Sequence, residues 1–399
     1  MKILVVNCGS SSLKYQLINM DNDEVLASGK CDRIGVKGME MPFVEYKRNG
    51  KKHVKELELP NHTVAFEEVL AFLTDAEIGA IKDTSEIDAI GHRIVNGGPT
   101  FTKSVVITPE VLEEFNRCIE YAPLHNPAHL QGINACMSLM PNVPEVLVFD
   151  TSFHRTIPEK AAIYAIPYEY YEKYHVRKYG FHGTSHQYVA NRVAEILGKD
   201  IKELKIVNCH LGQGASICAI KNGESVETSM GLTPLGGIPM GTRSGDLDPS
   251  VVTYLMKKEE LDADDVEEVL NRESGVYGIS MVSVDFRDIE AEALAGGKHA
   301  KLALDAYHYS IAGYIAKCAV AMGGIDVLTF TAGVGEKSPY SRSEICKQLG
   351  IFGVEISGKA NLVKGEEAEI SSPNSKVKVF VIPTNEELMI AQETAKLVK

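Results

Sequence analysis

Two stretches far apart in the chain repeat one pattern. Residues 2–14 run Lys2-Ile3-Leu4-Val5-Val6-Asn7-Cys8-Gly9-Ser10-Ser11-Ser12-Leu13-Lys14, and residues 205–216 run Lys205-Ile206-Val207-Asn208-Cys209-His210-Leu211-Gly212-Gln213-Gly214-Ala215-Ser216. Each is a short apolar run that enters a turn of small polar residues and is followed by another apolar run, Lys14–Ile18 in the first case. This reads as a strand, a Gly/Ser turn and a returning strand, a hairpin within a buried sheet. A third such turn, Thr331-Ala332-Gly333-Val334-Gly335-Glu336-Lys337-Ser338, follows the run Asp326–Phe330. Like units near the start of each half imply two like-folded domains, unless two short strand–turn pieces coincide by chance.

Helical patterns alternate with these strands. Thr108 can cap a helix over residues 108–120, Pro109 suits its first position, and Val111, Leu112, Phe115 and Ile119 form one apolar face. Residues 185–197 and 300–321 repeat the helical period, and Glu145–Phe149 is a buried strand that ends at Asp150. Alternating strands and helices predict an α/β architecture. A length of 399 residues suits two or three domains.

Charge narrows the partners. Lys and Arg number 41 against 54 Asp and Glu, so 41 − 54 gives −13. An acidic surface argues against a broad face for nucleic acid or anionic lipid. The eight cysteines form no C-x-x-C pair and read as reduced thiols. The run Ile3–Val6 is too short for a signal peptide, and no apolar stretch approaches the roughly 18 residues of a membrane span. The expectation is a cytoplasmic protein with neither nucleic-acid nor membrane partners.

Several residues carry chemistry. The backbone of the turn 7–12 can approach an anion closely, with Lys14 adding charge, although taken alone it suits a tight hairpin equally well. His210–Gly214 and Gly333–Lys337 add two more Gly-rich turns, and none matches a P-loop. Three such turns after strands point to a nucleotide held between domains. Arg93 lies in Gly91-His92-Arg93-Ile94-Val95-Asn96-Gly97-Gly98 and Arg243 in Met240-Gly241-Thr242-Arg243-Ser244-Gly245-Asp246. Their planar forks suit carboxylate or phosphate oxygens, and a structural ion pair is the alternative for each. Histidines occur at His125, at His154 and in Gly180-Phe181-His182-Gly183-Thr184-Ser185-His186. His182, just before a helix, is placed to face a cleft, whereas His186 reads as structural. The Glu of H-E-x-x-H is missing, which disfavours zinc. Asp150 at a strand end either serves Mg²⁺ chemistry or caps a turn. Thr384 and Glu387 have capping-box spacing, which leaves Glu386 as the functional candidate.

Together these segments resemble the acetate kinase family, of the acetate and sugar kinase/Hsp70/actin superfamily. The resemblance runs from Val6–Lys14 through Tyr179–His186 and Met240–Pro249 to Pro383–Leu388. It implies a duplicated actin-like (ribonuclease H-like) fold, two domains around a central nucleotide cleft. The expected division is residues 1–150 plus 387–399, an N-terminal domain completed by the C-terminal helix, and residues 151–386, carrying most of the nucleotide site. The implied activity is reversible transfer of the ATP γ-phosphate to acetate, giving acetyl phosphate and ADP, an entry to acetyl-CoA synthesis. Carried over by position, Asn7 and Glu386 organise Mg²⁺ (with Mn²⁺ as a substitute), and Lys14 holds nucleotide phosphate. Arg93 binds the acetate carboxylate, and Val95, Leu124, Phe181 and Pro234 surround its methyl group. Asp150, His182 and Arg243 match the catalytic positions. His210, Leu211, Gly212, Gln213, Gly214, Asp285, Phe286, Arg287, Gly333, Val334, Gly335, Glu336 and Lys337 match the phosphate- and adenosine-binding segments. A homodimer is also implied.

Three positions depart from the family pattern: Gln213 for Asn, Gly236 for Glu in Thr233-Pro234-Leu235-Gly236-Gly237, and Lys337 for Asn. They bear on nucleotide preference more than on reaction class. Acetate is ionised near neutral pH, since carboxyl pKa values lie near ~4, so the nucleophile needs no general base. Catalysis then rests on positioning and charge, for which Arg93, Arg243, His182 and Mg²⁺ suit an in-line transfer. On this reading Asp150 orients Mg²⁺, its water or an arginine. Lys14, Arg93, His182, Arg243, Arg287 and Lys337 are expected to gather around one site. The alternatives are propionate kinase, with the same chemistry, an actin- or Hsp70-like ATPase, and a non-catalytic nucleotide sensor.

Overall fold

The computed structural model describes every residue except Met39. The chain divides into two compact units, Met1–Phe153 with Asn385–Lys399, and His154–Thr384.

The first unit holds an eight-stranded sheet: β1 (Lys2–Cys8), β2 (Ser12–Asn19), β3 (Glu24–Asp32), β4 (Phe43–Arg48), β5 (Lys51–Glu56), β6 (Ala89–Ile94), β7 (Val105–Val106) and β8 (Glu145–Phe149). Its order is β5-β4-β3-β2-β1-β6-β8-β7. Strands β1 to β5 form an antiparallel meander, β6 and β8 run parallel to β1, and β7 closes the edge antiparallel to β8. The second unit holds β9 (Lys205–Leu211), β10 (Ala215–Lys221), β11 (Glu224–Thr228), β12 (Val327–Thr331), β13 (Ala368–Glu369) and β14 (Lys378–Val381), in the order β11-β10-β9-β12-β14-β13. Strands β9 to β11 are antiparallel, β12 and β14 run parallel to β9, and β13 closes the edge. The second sheet therefore matches β3-β2-β1-β6-β8-β7 strand for strand and direction for direction, so the repeated sequence reflects a duplicated fold. Both β1 and β9 are seven-residue strands that begin Lys-Ile and end just before a glycine, Gly9 and Gly212.

Strand alternation assigns each sheet two faces. In the first unit Leu4, Val6 and Cys8 join a core with helices His62–Leu73 and Asn126–Leu139. Ile3, Val5, Ala89, Val146 and Val148 pack instead on Ile390, Ala391 and Ala395 of the C-terminal helix Glu386–Val398. Gly91 permits that approach: a Cβ there would lie 2.4 Å from Thr394 Oγ1 and 2.8 Å from Ile390 Cγ2. In the second unit helix Gly183–Leu197 packs on β9.

Two local expectations are corrected. Asn385, not Thr384, caps the C-terminal helix, its side chain accepting from Leu388 N at 3.0 Å. Thr384 is drawn away by contacts distant in sequence, its hydroxyl donating to Ser185 Oγ at 2.8 Å. The segment Gly333–Lys337 is not an open turn but lies in a short helix, Ala332–Lys337, entered through Ala332 at φ +64. All eight cysteines are free and buried. Among the described residues no helix is long and apolar enough to cross a membrane.

Candidate active site

In the first unit the predicted residues collect at the carboxyl ends of adjacent strands, where open α/β sheets bind ligands. Asn7 is the next-to-last residue of β1, on the face of Ile3 and Val5, and Lys14 lies directly across from it on β2. Arg93 follows the Val6–His92 register pair on β6, and Asp150 follows the end of β8. Alternation puts all four on the face covered by the C-terminal helix, whose first turn carries Glu386 and Glu387.

Arg93 is mostly buried and grips Asp150 at two points, Nε to Oδ1 at 3.2 Å and Nη2 to Oδ2 at 2.8 Å. Glu386 stands 3.9 Å from Arg93 Nε. Burial opposes the guanidinium charge, but the two carboxylates more than offset it and raise the Arg93 pKa above its ordinary value. Of the readings open for Asp150, the arginine-orienting one fits this geometry. Val95 is buried and its N–H meets His129 Nε2 at 3.3 Å, whereas Leu124 is 64% exposed.

The second unit carries the other groups. Gly180 sits at φ +74, where a Cβ would fall 2.5 Å from Thr228 Cγ2 and 2.7 Å from His154 Cδ2. This tight entry leads through buried Phe181, whose carbonyl contacts His154 Nε2 at 2.9 Å, to His182 in the left-handed region at the start of helix Gly183–Leu197. The His182 ring stacks on His210, with centroids 4.1 Å apart and planes 18° apart. His182 Nδ1 lies 2.8 Å from Ser216 Oγ. A Cβ on Gly214 would lie 3.4 Å from Arg243 Nη1 and 3.5 Å from His182 Nε2, so the bare glycine leaves both groups facing the same small space.

Arg243 differs from Arg93. Its Nη1 donates to Pro234 O at 3.3 Å, and among the described residues no carboxylate pairs with it. Burial lowers its pKa below the ordinary arginine value, as expected for a charge without a counterion. A half-buried, uncompensated guanidinium beside an imidazole is a receptor for an anion.

A cavity of about 340 Å³ in the same unit is lined by Gly212, Gln213, Asp285, Phe286, Arg287, Gly333, Val334 and Lys337, drawn from all three predicted nucleotide segments. Its size and its mix of apolar and polar walls are those of a small-molecule site. Glu290 and Ser338 also line it and were not anticipated. Leu211 and Gly335 are buried next to this wall. Glu336 does other work: its Oε1 accepts from Ala332 N at 2.8 Å and Thr384 N at 3.2 Å, so it closes its own helix start. Arg287 is highly exposed and paired with Asp285, whose pKa its guanidinium lowers to about 2.

With this geometry in view, comparison with known proteins is decisive. The sequence model of the acetokinase family matches residues 2–392. The chain belongs to the acetokinase family. It is 55% identical over 400 residues to an acetate kinase of Acetivibrio thermocellus and 57% identical over 401 residues to one of Caldanaerobacter subterraneus. These alignments cover 100% of this chain and at least 99% of each relative. The crystal structure of Porphyromonas gingivalis acetate kinase aligns over 100% of both chains with a TM-score of 0.95 and 48% identity. A propionate kinase from Francisella tularensis aligns over 99% of both chains with a TM-score of 0.92 and 42% identity.

Two of the departures from the acetokinase family pattern acquire a physical setting. Gln213 uses its extra methylene to donate from Nε2 to Val284 O at 2.8 Å, and its amide occupies space left by Gly241, where a Cβ would fall 2.1 Å from Oε1. Lys337 is exposed on the cavity wall and has no carboxylate partner among the described residues.

The buried polar residues behind His182 were missed. Asn208, Ser216 and Thr329 are fully buried on strands that otherwise read as apolar. Polar side chains inside a buried strand pattern were the available signal, because each must find a partner.

Proposed function

We propose that the chain catalyses reversible, Mg²⁺-dependent transfer of the ATP γ-phosphoryl group to acetate, yielding acetyl phosphate and ADP. The observation that carries this reading is the uncompensated Arg243 converging with His182 on the space beside Gly214. Membership of the acetokinase family, with relatives named acetate kinase at 55% identity and above, supports acetate as the acceptor over a larger acid.

In the forward direction an acetate oxygen forms a bond to the γ-phosphorus as the bond from phosphorus to the bridging oxygen of ADP breaks. No proton leaves the nucleophile, so the residues supply position and charge. Arg93, held in orientation by Asp150, presents its remaining N–H groups to the acetate carboxylate. Arg243 compensates the negative charge on the equatorial oxygens of the transferring group. His182 donates to one of the same oxygens. The cavity bounded by Gly212, Phe286 and Val334 takes the nucleoside, and Lys14 and Lys337 offer charge to its phosphates.

Asn7, on the sheet face covered by the C-terminal helix, and Glu386, in the first turn of that helix, are hard oxygen donors, and no cluster of three or more His, Cys, Asp or Glu suited to a metal occurs among the described residues. That donor set fits Mg²⁺, which keeps several waters and relies on substrate phosphates. Asn7 and Glu386 would hold it. Bound there, it would neutralise phosphate charge. A cytoplasmic homodimer completes the reading, on family grounds.

The test is an acyl-hydroxamate assay with ATP, Mg²⁺ and acetate, propionate or butyrate in parallel. Acetyl hydroxamate should form fastest. One methylene is worth about 1–3 kcal/mol, so weaker product from propionate is expected. ATP hydrolysis without any hydroxamate would overturn the reading in favour of an ATPase.

A further inference from the structure

We propose that Ser216 is a positioning residue that, with His186, Asn208 and Thr329, fixes which ring nitrogen of His182 carries the proton, so that His182 presents an Nε2–H donor. The use of that donor on a phosphoryl oxygen rests on the phosphotransfer reading above; the tautomer does not.

The groups concerned lie along one face of the second sheet. Register places Thr329 beside Asn208 and Ser216 beside His210, and helix Gly183–Leu197 brings His182 and His186 onto that face. Thr329 Oγ1 lies 2.7 Å from Asn208 Oδ1 and 3.5 Å from Val207 O. A hydroxyl has one proton, and the short contact takes it. Asn208 therefore turns its NH₂ group to His186 Nδ1, at 2.8 Å. An amide NH₂ can only donate, so His186 Nδ1 accepts, and the neutral ring carries its proton on Nε2. That Nε2–H donates to Ser216 Oγ at 2.8 Å. The remaining neighbour of Ser216 is His182 Nδ1, also at 2.8 Å, and the serine proton goes there. His182 Nδ1 thus accepts, and its proton sits on Nε2, the nitrogen beside Gly214 and Arg243.

The opposite polarity would send the Thr329 proton across 3.5 Å and leave His182 Nε2 an acceptor, a poor match for oxygen-rich phosphate. His186 is fully buried, and burial holds its pKa well below the ordinary histidine value, in keeping with a neutral ring. The neighbouring imidazole repeats the device. Thr384 Oγ1 donates to Ser185 Oγ at 2.8 Å, and Ser185 Oγ lies 2.7 Å from His210 Nδ1. Both stacked rings are thus backed at Nδ1 by a serine hydroxyl whose proton is directed toward them, which leaves Nε2–H on each.

The experiment uses the full chain labelled with ¹⁵N-histidine and long-range ¹H–¹⁵N correlation at pH 8, with His182 assigned by comparison with His182→Gln. His182 should show the Nε2–H pattern in the wild type and a mixture with Nδ1–H in Ser216→Ala. In the same variant kcat should fall about 10- to 100-fold, in the range of a lost hydrogen-bonding partner in catalysis, with KM for ATP and acetate within about twofold. Ser216→Thr, which keeps the hydroxyl, should restore both readouts. Thr329→Val touches neither Ser216 nor His182 and should also mix the tautomers, which decides the case if Ser216→Ala does not fold. An Nδ1–H ring in the wild type, or unchanged tautomer and kcat in a folded variant, would overturn the proposal. Failure of the wild type to make any acyl phosphate would overturn the phosphotransfer reading alone, since the spectra report the tautomer without turnover.

Discussion

Arg93 holds Asp150 through two hydrogen bonds, Nε to Oδ1 at 3.2 Å and Nη2 to Oδ2 at 2.8 Å, whereas Arg243 has no carboxylate partner among the described residues. Two arginines that look alike in sequence, each in a Gly-rich segment, thus differ in charge state as seen by a ligand. Arg93 is a neutralised, oriented fork suited to a small carboxylate. Arg243 carries a charge that no neighbouring carboxylate compensates among the described residues.

This difference predicts the behaviour of Asp150→Asn. The amide keeps the shape but gives up the charge that orients Arg93. We expect kcat to fall on the order of 10- to 100-fold, as for a misaligned binding group, with Mg²⁺ half-saturation unchanged within about twofold. Steady-state titrations of Mg²⁺ and acetate on both proteins check this. A large shift in Mg²⁺ dependence would mean that Asp150 works on the metal instead.

Gly214→Ala should separate catalysis from stability. The new Cβ would be 3.4 Å from Arg243 Nη1 and 3.5 Å from His182 Nε2, close enough to fill the space both groups face without a severe clash. A displacement near 1 Å in such a site can cost on the order of 10²-fold. The expected outcome is kcat lowered by at least ~10-fold with a thermal midpoint near that of the wild type. A variant that loses stability in proportion to activity would assign the glycine to folding.

Buried histidines predict a pH-dependent stability. Burial lowers His154 and His308 to about 4 and His129 to about 3. Unfolded histidine titrates near about 6.5, so between these values the unfolded chain binds more protons than the folded one. The stabilisation is complete above pH ~6.5 and is lost as pH falls toward ~4, on the order of 1–2 kcal/mol per site by pH ~5. Denaturant midpoints at pH 7.5 and 5.0 measure it. His154→Gln should flatten the profile; an equally steep profile in that variant would rule out this histidine as a source.

The duplicated fold was legible because both halves begin with a strand, a small-residue turn and a returning strand, a local pattern with one structural meaning. Asn7, Arg93, Asp150 and His182 could be singled out as candidates because polar residues at strand ends, or in Gly-rich entries, have few structural duties. Legibility failed where partners come from elsewhere in the chain. Thr384 has the spacing of a cap, but Ser185 takes its hydroxyl and Asn385 caps instead. The partners of the Glu336 carboxylate, Ala332 N and the distant Thr384 N, are likewise not evident from its local sequence. Arg287 lies in the first turn of helix Phe286–Leu294, lines the cavity and pairs with Asp285, the residue that caps that helix. Asn208, Ser216 and Thr329 stand on three different strands, and only sheet register brings them together.

The central claim is that Arg243 supplies uncompensated charge to the transferring phosphoryl group. The most direct test is single-turnover transfer from ATP to acetate by Arg243→Ala, with the fold checked by circular dichroism and the nucleotide affinity measured separately. The account predicts a rate lower by on the order of 10³, an unchanged fold and a much smaller change in ATP affinity, as for a group acting mainly in the transition state. A folded Arg243→Ala protein with a transfer rate near that of the wild type would contradict it.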